Sequence, residues 1–163
     1  MTGILTHSYE VDAKAKARLS VYDASLQAVK WIEKRMPDWK AYADRLVAVL
    51  QDRTPGYDWV GFYQTRADDL VLIASAGADE SAPRLVEIRR GTVGRAAGSG
   101  TSITKTSTGT FRSEIATPVR RFGVIIGVIS VKSRERASFT LEDTEFLEKV
   151  SHVAGSRFHG GPL

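Results

Sequence analysis

The chain of 163 residues contains no cysteine. That absence removes disulfides, thiolate-bound metals and every reaction that begins with a sulfur nucleophile. It constrains chemistry more than location, because reducing and oxidising compartments are equally compatible with a thiol-free chain. Long apolar runs are missing as well. Nothing approaches the roughly 20 residues needed to span a bilayer, and Met1-Thr2-Gly3-Ile4-Leu5-Thr6 has neither a charged start nor a long apolar core. The expectation is a cytoplasmic protein with no membrane contact. Histidine is scarce: His7, His152 and His159 lie near the chain ends or on the last predicted helix, with no carboxylate or second histidine at ligand spacing, so no metal site is expected. Nothing places a histidine beside a strand-end serine, and no Ser-His-Asp set is read. The formal charge of +4 is small and reads as ordinary solubility charge.

What is present is the composition of a globular domain, with 42% hydrophobic and 26% charged residues. The length suits one domain that buries about two-thirds of its unfolded surface. Residues 1–10 read as a loose arm, followed by a single domain over 11–160. Leu19, Tyr22, Leu26 and Val29 recur at helical spacing before Pro37, and a second helix, capped by Asp38 and carrying Trp39, Ala43, Leu46, Val47 and Leu50, stops at Thr54-Pro55-Gly56. Tyr57 to Gln64 alternates as a strand, with Trp59, Gly61 and Tyr63 on one side and Val60 and Phe62 on the other. Leu70 to Ser75 pairs with it as a hairpin. Leu85 to Ile88 makes a short strand, Gly91 to Gly98 a short helix and Ser102 to Lys105 a fourth strand, after which Thr106 to Thr110 reads as a flexible loop.

The stretch from Ser113 to Ser133 organises the rest. Val124 to Val131 is a nearly unbroken β-branched run, the mark of a strand covered on both faces. Arg120-Arg121-Phe122-Gly123 supplies a tight turn, and Pro118 predicts a bulge or an unpaired side of the preceding strand. Thr140 with Asp143 forms a capping box ahead of a last helix over 140–158 whose stripe is Phe146, Leu147, Val150, Val153, Ala154 and Phe158, closed by Gly160-Gly161-Pro162. The sum is α+β: helices 11–54, a largely antiparallel sheet with a short helix over 57–133, and a terminal helix.

The order of these elements, with Trp59-Val60-Gly61-Phe62-Tyr63, Gly91-Thr92-Val93-Gly94-Arg95-Ala96, Ser113-Glu114-Ile115 with Pro118, Gly127 to Val131, and Phe139 with Asp143, Phe146 and Leu147, resembles the GAF domain family of small-molecule sensors. The resemblance implies a six-stranded sheet, N- and C-terminal helices on one face, a short helix and loops over a ligand pocket on the other, and dimerisation through the terminal helices. Within the family the chain is most similar to free methionine-(R)-sulfoxide reductases. Those enzymes, as the resemblance has it, use cysteines in the short helix and in the loop before the Ser-Glu-Ile strand. Here Val93 stands at the helix position, and the loop from Thr106 to Arg112 is shorter. Without a thiolate that reduction is lost. The family pocket also uses the Glu of Ser-Glu-Ile, retained as Glu114, and two acidic positions that here hold Ser130 and Lys132.

If the family pairing holds, Glu114 and Lys132 share the pocket side as a cross-strand pair. Lys132, with Lys105, would then form a cationic end suited to a small anion, unless Lys132 and Glu114 neutralise each other. Trp59 and Tyr63 could stack on a flat ligand, and aromatics on a strand are also common core residues. The start of the short helix offers backbone N–H groups to an anion, although it matches neither a P-loop nor Gly-x-Gly-x-x-Gly. Arg89, Arg90, Arg95, Arg120, Arg121, Arg134 and Arg136 read as solvated surface, with no nucleic-acid motif among them. Asp68-Asp69 and Asp79-Glu80 read as turn residues. The expected ligand-binding set is Trp59, Tyr63, Val93, Lys105, Glu114, Ser130 and Lys132. The expected role is a non-catalytic sensing or dimerisation module with no cofactor, acting on an unidentified signalling protein, because the chain ends just after its last helix without an output domain.

Overall fold

No proline falls between Thr2 and Arg35, and in the computed structural model that run is one helix, α1 (Thr2–Arg35). The structure describes residues 2–36, 38–79, 81–136 and 138–158. The loose arm expected over residues 1–10 is thereby corrected: the backbone is helical from Thr2, since nothing in the run breaks the i to i−4 ladder. Tyr22, Ser25, Val29 and Ile32 form the buried stripe of α1. Leu19, expected on that stripe, is 52% exposed. Arg18 continues the stripe in its place and reaches Asp143 on the last helix. Helix α2 (Trp39–Arg53) starts as expected, with the Asp38 carboxylate accepting from the Ala41 N–H at 3.0 Å.

The sheet contains β1 (Trp59–Arg66), β2 (Asp69–Ala76), β3 (Leu85–Glu87), β4 (Ile103–Thr106), β5 (Ser113–Arg121) and β6 (Val124–Ser133), ordered β3-β2-β1-β6-β5-β4 and antiparallel throughout. β1 begins two residues later than predicted, because the Tyr57 N–H is used by the preceding turn, to Thr54 O at 3.1 Å. The predicted turn is the two-residue Phe122–Gly123 loop, with both residues at positive φ (51° and 77°). Pro118 is in register with Val128, and the irregularity expected there falls one step later, between Val119 and Arg120. β4 pairs only as far as Ala116, so Pro118 sits where β5 has a single neighbour and its missing N–H is tolerated.

Alternation, interrupted by register shifts between Phe62 and Tyr63 and between Val119 and Arg120, divides the side chains into two layers. On one face Val60, Phe62, Ile115, Val119, Ile129 and Val131 pack against α1, α2 and α4 (Leu141–Arg157). On the other, Trp59, Tyr63, Leu70, Ala116 and Val128 pack against Val93, Ala96 and Ala97 of α3 (Gly91–Ser99). Helix α3 ends at Gly100 in the left-handed region (φ 71°). The terminal part of the chain expected beyond Phe158, including His159 and Gly160-Gly161-Pro162, lies outside the described residues, as do Pro37 and Glu80. No described helix is long and apolar enough to cross a membrane.

The helical layer is bolted by one carboxylate. Asp143, fully buried, accepts from Tyr22 Oη at 2.5 Å, Tyr57 Oη at 3.0 Å, Arg18 Nη2 at 2.7 Å and the Thr140 N–H at 2.9 Å. The sequence identified it as a helix cap. Its larger role is to join α1, the lead-in to β1 and α4, because a buried carboxylate needs every lone pair occupied. Burial first, and then the bond to Asp143, hold the Tyr22 hydroxyl well above its ordinary pKa; burial and the neighbouring Asp143 charge do the same to Tyr57.

Candidate functional site

The pocket-side layer carries one row of residues in direct register across four strands. Trp59 of β1 faces Lys132 of β6, Lys132 faces Glu114 of β5, and Glu114 faces Lys105 of β4. Neighbouring strands put such partners about 5 Å apart, so a carboxylate stands between two lysines. Lys132, Glu114 and Lys105 of this row form the floor of a cavity of about 440 Å³ roofed by Pro83, Val86 and the first turn of α3, with Tyr63 and Val93 on its wall. A smaller hollow of about 210 Å³ shares Lys105, Glu114 and Lys132 and extends under the 107–111 loop. That loop is closed on itself by Ser107, whose N–H reaches Arg112 O at 2.9 Å and whose Oγ reaches Phe111 O at 2.7 Å.

The geometry brings together five of the seven expected residues and sets two behind the wall. Trp59 is buried beneath Lys132, whose Nζ stands 4.9 Å from the ring centroid. Its other side lies on Gly61, where an added Cβ would stand 2.2 Å from the indole. Trp59 therefore supports Lys132 from beneath the cavity and is not a stacking surface. Ser130, also buried, donates from Oγ to Glu114 Oε1 at 3.2 Å and orients that carboxylate from below. Tyr63 stays on the wall, its hydroxyl held by Pro83 O at 2.9 Å. Burial first, and the charges of Glu114 and Asp79 after it, push its hydroxyl above the ordinary range.

Lys132 and Glu114 do not pair as expected. Lys132 Nζ binds Asp79 Oδ2 at 2.7 Å, with side-chain exposures of 14% and 2%. By sequence Asp79 is a turn residue. It is one, accepting from Ser81 N–H and Oγ, but it also ties the chain after β2 to Lys132 of the sheet. Burial alone would raise the Asp79 carboxyl; the hydrogen bonds from Lys132 and Ser81 outweigh it and hold the group below its usual range. The partners are 53 positions apart in the chain, and no local pattern announces them. Among the described residues, Lys105 and Glu114 make no ion pair. At the roof, Arg90 precedes α3 without a side-chain cap bond, so the first N–H groups of the helix at Gly91, Thr92 and Val93 open beside the cavity.

Of the arginines read as surface, Arg90 pairs with Glu87 at 2.9 Å, Arg121 binds Ser156 O at 2.9 Å and also Phe158 O, and Arg120 binds Gly100 O. They brace the fold locally. His152 is exposed on α4, and no group of His, Asp or Glu among the described residues is arranged to hold a metal ion.

An antiparallel sheet ordered 3-2-1-6-5-4, with terminal helices stacked on one face and a short helix over a cavity on the other, defines the class of α+β domains that includes GAF domains. The GAF domain family model matches residues 38–158, and the chain belongs to that family. Among solved structures it is similar to the free methionine-R-sulfoxide reductase of Neisseria meningitidis in complex with its substrate, with 28% identity over 84% of this chain and 87% of that one (TM-score 0.78). The fold is shared with a Burkholderia vietnamiensis protein described as a GAF sensor, at 23% identity, 86% and 89% coverage and a TM-score of 0.80. It is also shared with fRMsr of Staphylococcus aureus in complex with substrate, at 21% identity, 83% and 94% coverage and a TM-score of 0.77. No curated protein matches the chain.

Proposed function

We propose that this GAF domain binds a small zwitterion of the free amino-acid class and reports its presence without converting it. The observation that supports this reading is the mixed charge of one cavity: Glu114 and Lys105 face it without an ion pair among the described residues, with the open N–H groups of α3 at the roof. An ammonium group suits Glu114, and a carboxylate suits Lys105 and the helix start. The cationic end expected from Lys132 is already neutralised by Asp79, which argues against a simple anion as ligand. The likeness to a reductase of free methionine sulfoxide favours the same ligand class. Val93 and the absence of cysteine remove the thiol route to turnover.

A signal requires two states with different affinity. In this reading the ligand draws the 107–111 segment in over the cavity, and the sheet passes the change to the terminal helices. Leu19 and Trp31 stand exposed on α1 and supply apolar surface for a homodimer through those helices. The output then passes to a separate signalling protein.

The test is thermal unfolding with a panel of free amino acids, their sulfoxides, N-acetyl derivatives and amides. A ligand at a hundred times its dissociation constant should add about 2.7 kcal/mol of stability. Stabilisation by a free amino acid should disappear with its N-acetyl form and in Glu114→Gln, and should weaken in Lys105→Met. A panel in which no zwitterion stabilises the protein sinks the proposal. Turnover of methionine sulfoxide by the cysteine-free chain would replace it with an enzyme.

A further inference from the structure

Register and contact disagree at Lys132. It stands directly opposite Glu114 of β5, and cross-strand neighbours of opposite charge ordinarily pair, with Cβ atoms about 5 Å apart. Both side chains reach the same two hollows. Yet Lys132 Nζ lies on Asp79 Oδ2 at 2.7 Å, while Glu114, without an ion pair among the described residues, accepts from Ser130 Oγ at 3.2 Å. The competing carboxylate is prepared by its own turn. Gly77, at a φ of 92°, carries the chain against the start of β1, where an added Cβ would stand 2.2 Å from Asp58 O. Two residues on, Ser81 holds Asp79 Oδ1 through its N–H at 3.0 Å and its Oγ at 2.6 Å, which leaves Oδ2 to Lys132. Asp79 is already fixed and has one torsion fewer than a glutamate, so pairing with it orders less of the side chains than pairing with Glu114 would.

Without Asp79, Lys132 has little water to turn to. Its side chain is 14% exposed, and Nζ lies 4.9 Å and 5.8 Å from the ring centroids of Trp59 and Phe111. A cation so enclosed needs an acceptor. Of the carboxylates on the cavity lining, Glu87 is paired with Arg90, and Glu114 is the one opposite Lys132. Lys105, the other neighbour of Glu114 in register, is exposed and keeps its hydration. We infer that Asp79 is a positioning residue of this site: it draws Lys132 off Glu114 and so holds the Glu114 carboxylate open to the cavity, and without the Asp79 charge Lys132 swings to Glu114 and covers it. The exchange of partners follows from the geometry alone. Its consequence for binding rests on the amino-acid reading, in which Glu114 receives the ammonium group of the ligand.

Urea unfolding tests the exchange with no ligand present. Glu114→Gln and Lys132→Met, singly and together, are made in the wild-type chain and in Asp79→Asn, with Asp79→Ser as a second uncharged background. With Asp79 in place, the coupling between Glu114 and Lys132 should change the unfolding equilibrium constant about twofold. In either uncharged background it should rise to about tenfold, as for residues in direct contact. An unchanged urea slope verifies that each variant keeps the fold. Calorimetric titration with methionine sulfoxide and its N-acetyl derivative tests the consequence. Affinity for the free amino acid should fall about tenfold in Asp79→Asn, the weight of one charged hydrogen bond. Its advantage over the N-acetyl form should shrink by the same factor, and Lys132→Met added to Asp79→Asn should restore both. A merely structural loss would lower the two ligands together. The inference is overturned if the coupling is the same with and without the Asp79 charge, or if Asp79→Asn binds methionine sulfoxide as tightly and as selectively as the wild-type chain. If the wild-type chain binds neither compound, the amino-acid reading falls, and the coupling alone decides the role of Asp79.

Discussion

Replacing Asp143 by alanine tests whether one carboxylate joins three parts of the helical layer. The substitution strands the hydroxyls of Tyr22 and Tyr57 in a buried space, where each orphaned donor costs about 1–3 kcal/mol. It also frees the Thr140 N–H, and loss of a helix cap is typically about 1 kcal/mol. Arg18 is 46% exposed and can turn to water, so its share is small. These losses occur at one site and do not add in full. The expected net destabilisation is about 3–5 kcal/mol, the range for breaking a buried charged pair. Domains are typically stable by about 5–15 kcal/mol, and for this size each kcal/mol moves Tm by about 2–4 °C, giving a fall of about 6–20 °C. Asp143→Asn, which retains one acceptor oxygen, should lose about half as much. Urea unfolding followed by tryptophan fluorescence and by circular dichroism gives the free energy and verifies an unchanged slope. A loss below about 1 kcal/mol in Asp143→Ala, at constant slope, would refute the idea that the cluster is a structural bolt.

Three further outcomes follow from local geometry. At Gly155 an added Cβ would stand 2.0 Å from the Arg120 carbonyl oxygen, so Gly155→Ala must lift α4 from β5. Overpacking of about 2–3 kcal/mol then exceeds the roughly 1 kcal/mol that alanine gains in a helix, and chemical denaturation should show a net loss. Phe122 is 91% exposed at a φ of 51°, and Phe122→Asn installs the Asn-Gly pair preferred in this turn; its stability should rise by about 0.5–1 kcal/mol in the same assay. Stability should also fall at both ends of the pH scale. The raised folded pKa values of Tyr22 and Tyr57 mean that the unfolded chain releases protons first as pH rises above about 10, so their contribution is complete below that pH and lost above it. The lowered folded pKa of Asp79 contributes above about pH 4 and is lost as pH falls below it. An Asp79→Asn variant should therefore show a flatter acid limb in a Tm-against-pH series.

Part of the site could be read from alternation and the resemblance together. Parity groups Ser130 with Lys132 on one strand and Glu114 with Ala116 on the next, but their sharing of a face was implied by the resemblance, because regular counting from the Phe122–Gly123 turn pairs Glu114 with Val131 and only the shift between Val119 and Arg120 brings it opposite Lys132. Parity could not say what those side chains touch. Lys132 turns from its cross-strand neighbour to Asp79, which reaches it from a loop, and Trp59 lies under that lysine with its ring over Gly61. In α1, helical periodicity located the element but missed its inward edge: Arg18 takes the place expected for Leu19 because a buried acceptor on α4 rewards a long cationic side chain there.

The amino-acid sequence by itself determined the order and type of the elements, the two-faced sheet and the exclusion of thiol chemistry, because periodicity, turn residues and composition act over a few neighbouring positions. Tertiary structure alone decided which charges are already spoken for and which carboxylate clamps the helices. Those depend on contacts between residues 53, 86 and more than 100 positions apart, whose geometry exists only once the chain has closed on itself.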